Sequence, residues 1–198
     1  MEIAPDFTDV QWKQLAFTSE RDWIRAISVL RRRITERFLR PARTLLRLKW
    51  SGFAVLGLDS LLIETLQQFL EGVPETPRVV RDGRRVLASE DYFKAFLTGA
   101  YFGPGFVDET ARLFYTTIRC GILHQAEVKE SSLVRRDRPL VTLTQDRKGI
   151  IINPGLLHDK LEQAFTRYLK DLREPSKTEL RRRFRAKMDH IARVGRTV

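Results

Sequence analysis

Within the run Arg119-Cys120-Gly121-Ile122-Leu123-His124, an arginine and a histidine stand five positions apart. These two side chains can divide phosphate chemistry between them. Imidazole titrates close to neutrality and can take or give a proton, while a guanidinium keeps its charge and offers a planar fork of donors to phosphate oxygens. A plainer reading also fits: a buried Arg–acid pair, and a histidine resting on the carbonyl end of its helix. Five steps along an ideal α-helix turn one side chain about 140° from the other. One straight helix therefore does not aim both at one phosphate. The long arginine stem, a helix end loosened by Gly121, or a second copy of the chain must bring them together.

An arginine in such a role needs a carboxylate to orient it. Residues 51–71 read as a helix ended by Gly72, with apolar side chains around most of its axis, the pattern of a central helix. Asp59 and Glu64 both lie on it. The neighbours of Asp59 at three and four residues are Val55, Leu56, Leu62 and Ile63, all apolar. A carboxylate there must find a cation or a hydrogen-bond donor. Glu64 instead shares a small or polar stripe with Gly57, Ser60 and Glu71. Either acid could hold Arg119, with Gln125, Glu127 and Lys129 forming a rim and Cys120 acting as a small packing residue.

The rest of the chain reads as helices with one small hairpin. Thr8 and Gln11 form a capping-box pattern for a short first helix. Residues 19–39 carry Trp23, Ile27, Leu30, Ile34 and Phe38 on one face, arginines elsewhere, and Pro41 as a break or kink. Residues 72–88 hold Pro74, Pro77 and Gly83 among charges and read as a surface loop. A short helix from Ser89, a Gly103-Pro104-Gly105 turn and a helix from Asp108 toward His124 follow. Residues 140–144 and 149–152 form the hairpin, and Pro154 opens a helix ended by Pro175. The pattern Ser176-x-x-Glu179 predicts a capped last helix, with a narrow stripe of Leu180, Phe184, Met188 and Ile191. The expectation is a mainly α domain over residues 1–175, with a basic amphipathic helix over 176–198 packed on it or extending from it.

The net charge is +11, from 36 Lys and Arg against 25 Asp and Glu, which favours polyanionic partners. On the last helix Arg181, Arg182, Arg183 and Arg185 are the expected RNA-facing cations, although such a helix would also suit a lipid surface or a protein partner. Cys120 is the only cysteine, so no intrachain disulfide and no Cys-rich metal site can form. With three histidines a multi-histidine metal cage is disfavoured too, and His158 and His190 read as solvated. No glycine-rich phosphate loop follows a strand, which argues against a nucleotide-cofactor fold. The acidic start and the short apolar runs point to a cytoplasmic chain without a membrane span.

In its helical setting the Arg-x4-His run resembles the HEPN superfamily. The runs Leu58-Asp59-x-Leu61-Leu62-Ile63-Glu64 and Gly121-Ile122-Leu123-His124-Gln125 are similar to uncharacterised bacterial members, and the resemblance spans roughly residues 20–130. It implies a HEPN-like helical bundle and a metal-independent, cofactor-free endoribonuclease acting as a homodimer, with the paired motifs facing across a cleft. His124 would then be the general acid or base and Arg119 the phosphate clamp. A toxin or antiviral defence effector, controlled by an antitoxin or regulatory protein, is the implied setting. Many members place Asn directly after the arginine, and a toxin branch places Tyr two residues after the histidine. This chain has Cys120 and Ala126 there. Those departures keep open a non-catalytic RNA- or nucleotide-binding module, with a helical interaction protein as a third reading.

Overall fold

The structure is a computed structural model that describes residues 1–195, and over them the chain is mainly α-helical. Strands β1 (Glu2–Ala4) and β2 (Phe7–Thr8) pair ahead of α1 (Asp9–Lys13), whose N-terminus is closed by the Thr8–Gln11 capping box. Helix α2 (Glu20–Ile34) starts on Ser19, whose hydroxyl accepts the Asp22 N–H. Its arginines are less free than the sequence suggests. Arg33 donates to the Ile3 carbonyl, Arg37 to that of Glu2, and Arg32 to the Pro5 carbonyl and the Asp6 carboxylate, which ties the N-terminal hairpin to α2.

Pro41 does not end this helix. Residues Thr35–Leu39 widen into a π-helical turn, and α3 (Arg40–Leu45) continues beyond it. Proline lacks an N–H and its ring crowds the carbonyl four residues back, so the wider turn makes the room that an α-helical turn would not. Trp50 follows in the link to α4, at φ 64° and 95% exposed.

Helix α4 (Gly52–Glu71) is the centre of the molecule, packed by α3, α5 (Ser89–Leu97), α8 (Pro154–Arg173) and α9 (Thr178–Ile191). Leu56, Leu62, Ile63 and Phe69 are fully buried on it. Its cap, Gly72, has φ 73°, and a Cβ there would lie 2.7 Å from the Arg183 backbone. Glycine therefore serves both the left-handed turn and the close passage of α9.

The stretch expected as a loop, residues 72–88, contains a hairpin instead. Strands β3 (Arg78–Arg81) and β4 (Arg84–Leu87) pair around Asp82-Gly83, both at positive φ. Asp-Gly is a favoured two-residue hairpin turn. The expected hairpin near residues 139–152 forms as β6 (Val141–Leu143) and β7 (Ile150–Ile152), and β5 (Leu133–Val134) adds in parallel to β7. Asn153 then caps α8, with Pro154 in its first turn.

Helix α9 packs on the domain, with Phe184 and Met188 buried and Phe184 against Phe69 and Trp12. Its expected cap does not form. The N-cap is Lys177 without a side-chain bond, and the Glu179 carboxylate accepts from Arg182 and Arg183 instead. Charge-assisted bonds to two guanidiniums outcompete one backbone amide. The helix ends at Ile191, short of the expected span of 176–198, of which residues 196–198 lie outside the described residues.

Candidate functional site

Arg119 and His124 lie on one helical path of three pieces: α6 (Asp108–Leu113), a π-helical turn (Phe114–Arg119) and α7 (Cys120–Gln125). Phe114 and Ile118 bury the inner face of this path, and Ile122 meets α4 at Gly57. Beyond Gln125 the chain reverses through Ala126, at φ 54°, and recrosses its own helix. A Cβ at Gly121 would lie 2.4 Å from the Glu127 carbonyl oxygen, and the Lys129 N–H donates to the Thr117 carbonyl at 2.8 Å. Gly121 therefore permits this reversal and does not loosen the helix end.

Arg119 is held from two sides. Its guanidinium lies over the Tyr115 ring, 5.4 Å from the centroid, and its Nη2 is 3.5 Å from Glu64 Oε2. The two side chains are 18% and 17% exposed, so the guanidinium is sheltered without being sealed. Cys120 Sγ sits 4.0 Å from Arg119 Nη1. Glu64 Oε1 accepts from Thr76 at 2.6 Å and Ser89 at 2.8 Å. Thr76 in turn accepts from Gln68, whose Oε1 accepts from the Lys187 ammonium. Side chains thus link Arg119 through α4 to α9.

Asp59 belongs elsewhere. Its Oδ1 meets His158 Nδ1 at 2.9 Å, with both side chains essentially unexposed. His158 Nε2 lies 3.4 Å from Glu162, and Glu162 with Asp159 grips Arg43 at 2.6 and 2.7 Å. Burial pushes the Asp59 carboxyl up from its ordinary range, although the His158 contact pulls the other way. Burial would lower His158, but the hydrogen bond and charge of Asp59 outweigh it and hold the imidazole up. Asp59 therefore does not orient Arg119, and His158 is not solvated. The demand of Asp59 for a donor was readable. So was the place of His158 on the core face of α8, three and seven residues before Leu161 and Phe165.

His124 is exposed near the end of α7, where Gln125 and Glu127 are exposed and Lys129 half-buried. Among the described residues no hydrogen bond or ion pair joins it to Arg119. The segment between them is α-helical, so the large angular offset expected from their spacing persists: Arg119 faces α4 while His124 faces outward. One chain does not converge the two.

The arginines of α9 are mostly engaged. Arg181 is buried: it makes paired bonds to Glu20 at 2.7 and 2.8 Å, donates to the Leu172 and Arg173 carbonyls, and lies over Trp23. It is a tie between helices and not an outward cation. Arg182 pairs with Glu179, Arg183 with Glu179 and the Leu70 carbonyl, and Arg185 stacks on Phe17 beside Asp189. Arg182 and Arg185 stay exposed, so an RNA-facing role for this helix would rest on those two.

Among the described residues, no group of three His, Cys, Asp or Glu is arranged to hold a metal ion. There α4 alone is long and apolar enough to cross a membrane, with mean hydropathy 1.3, and half of that window is buried inside the fold. Compared with known proteins, the chain matches no family model, no curated protein and no solved structure.

Proposed function

We propose that this chain is a HEPN-type endoribonuclease that works as a homodimer and cuts RNA without a metal ion. The observation that carries the reading is Arg119: a guanidinium preset by Tyr115 and Glu64, still reachable, five residues before an exposed imidazole. Preset cations stabilise the charge that grows on a phosphate in its transition state. An imidazole takes the proton of the ribose 2′-hydroxyl, whose oxygen attacks the adjacent phosphorus. The bond to the 5′-oxygen breaks, and that oxygen leaves with a proton from a protonated imidazole. The products are a 2′,3′-cyclic phosphate and a 5′-hydroxyl. Two copies supply two imidazoles, and they remove the convergence problem of one helix.

The dimer face we assign is the exposed stripe of α4. Ala54, Leu58, Leu61 and Thr65 fall on one side of that helix, and α7, packed against it, adds Leu123. Leu61 is 47% exposed and Leu123 43%. A cytoplasmic toxin or defence role, with a regulatory partner, follows the HEPN resemblance. The test is purified protein on mixed single-stranded RNA in EDTA, beside a folded His124→Ala variant. Cleavage by the parent alone, leaving cyclic phosphate ends, is the expected result.

A second reading is a non-catalytic RNA-binding module, and the Glu64 carboxylate on Arg119 favours it. A neutralised guanidinium grips phosphate less strongly, and Cys120 and Ala126 replace residues common in the resembling family. Salt-dependent RNA binding without scission would establish that reading instead.

A further inference from the structure

A cavity of about 400 Å³ lies between α2, α9 and the Pro74 segment. Arg33, Arg37, Lys187 and Arg193 line it, against Glu2 and Glu75. Its four cations outnumber its two carboxylates, and the bonds they make go to neutral oxygens. Arg33 donates to the Ile3 carbonyl at 2.5 Å and Arg37 to the Glu2 carbonyl at 3.3 Å. Lys187 donates to Gln68 Oε1 at 2.7 Å and to the Pro74 carbonyl. Among the described residues none of the four cations forms an ion pair with a carboxylate. Elsewhere on the same helices arginines do find acids, as Arg181 finds Glu20 and Arg32 finds Asp6.

Clustered, part-buried cations that outnumber the carboxylates beside them oppose folding unless something neutralises the excess. Lys187 is buried, and lost hydration pulls its pKa down to about 8, against the opposing pull of the Glu75 charge and with a smaller push from Arg33. Arg33 is itself lowered to about 10 by burial, with Arg37 adding repulsion. An anion would relieve both. The neutral partners leave the lysine one donor free and the Arg33 and Arg37 guanidiniums several.

We propose that this cavity binds the phosphate group of a small phosphorylated ligand, in a site that shares none of the Arg119 and His124 side chains. The volume lies in the range of small-molecule pockets and accommodates a sugar or base beyond the phosphate. Arg33 and Arg37 would take the phosphate oxygens as forks, and Lys187 would act as a point charge beside them.

Isothermal titration calorimetry with inorganic pyrophosphate and, separately, adenosine 5′-diphosphate tests this without RNA, so its outcome is independent of any nuclease activity. One saturable site per chain is expected. Arg37→Ala, an exposed change compatible with folding, should weaken binding roughly tenfold or more. Lys187→Met, which replaces a buried cation by an apolar chain of similar length, should do the same. Lys170→Ala, on the exposed side of α8, should leave affinity unchanged. Equal affinity for the two probes would mean that the phosphates alone are recognised, and preference for the diphosphate nucleotide that the rest of the ligand is read too. No saturable heat with either probe, or equal weakening by the Lys170 variant, would overturn the proposal.

Discussion

Glu64 organises the candidate site at the scale of single atoms. One oxygen takes two hydroxyls, from Thr76 and Ser89, and the other faces Arg119. In Glu64→Gln the new amide must turn its NH2 toward either the hydroxyls or the guanidinium. We expect a loss of about 1–3 kcal/mol in urea unfolding and, on the proposed nuclease reading, cleavage that falls more through kcat than through KM. Unchanged kcat would remove Glu64 as the positioning group. His158→Ala strands a buried carboxylate, so it should cost about 3–5 kcal/mol, more than Asp59→Asn. The Lys187 ammonium gives a pH signature. Its folded pKa of about 8 lies below the ordinary value of 10.5, so between those pH values the unfolded chain binds more protons. Stability from this group therefore rises with pH across that window. Thermal melts should show wild type gaining on Lys187→Met from pH 8 to 10.5, and a constant gap would contradict the shift. The Arg-x4-His spacing and the unmet need of Asp59 were legible because both are local. The Asp59–His158 bond spans 99 positions, and no local pattern carries it.

Two helices carry π-helical turns, and each has a visible consequence for what lies beyond. The first lets α2 run past Pro41 into α3, where Arg43 reaches Asp159 and Glu162. The second sets the rotation at which Arg119 meets Glu64. Deleting Thr116 would let that wide turn, which holds one residue more than an α-helical one, close into continuous α-helix and leave Phe114 and Arg119 near their present rotation. The urea midpoint should therefore change little; a loss of about 3 kcal/mol or more would mean that the wide turn itself is needed for packing. The long helices were readable from their apolar periodicity. The β3–β4 hairpin was not, because its side chains are mostly exposed and arginine-rich, leaving no alternation to read. Its Asp-Gly turn was the one signal available. The Ser176 cap failed for a different reason, since a local motif lost its glutamate to two nearby arginines.

Over the whole molecule, the +11 charge is distributed less freely than composition implies, because many arginines serve as ties between elements. The mainly α class was plain from patterning, whereas the destination of those cations depended on tertiary neighbours. The exposed stripe on α4 bears on assembly. On the proposed dimeric nuclease, Leu61→Lys should shift sedimentation toward monomer and reduce cleavage in proportion, with little change in melting temperature of the monomer. Dimers that persist would move the interface elsewhere. Trp50 offers a practical handle on any such event. Trp12 is buried and bonded to Asp189, and Trp23 packs against Phe17 and Phe184, but the Trp50 indole stands bare beside Lys49. Iodide, an anionic quencher drawn to that lysine, will extinguish its fluorescence first and leave the shielded indoles emitting. The folded chain thus comes with an intrinsic optical probe at one known spot, and a molecule that settles there will announce itself as protected emission.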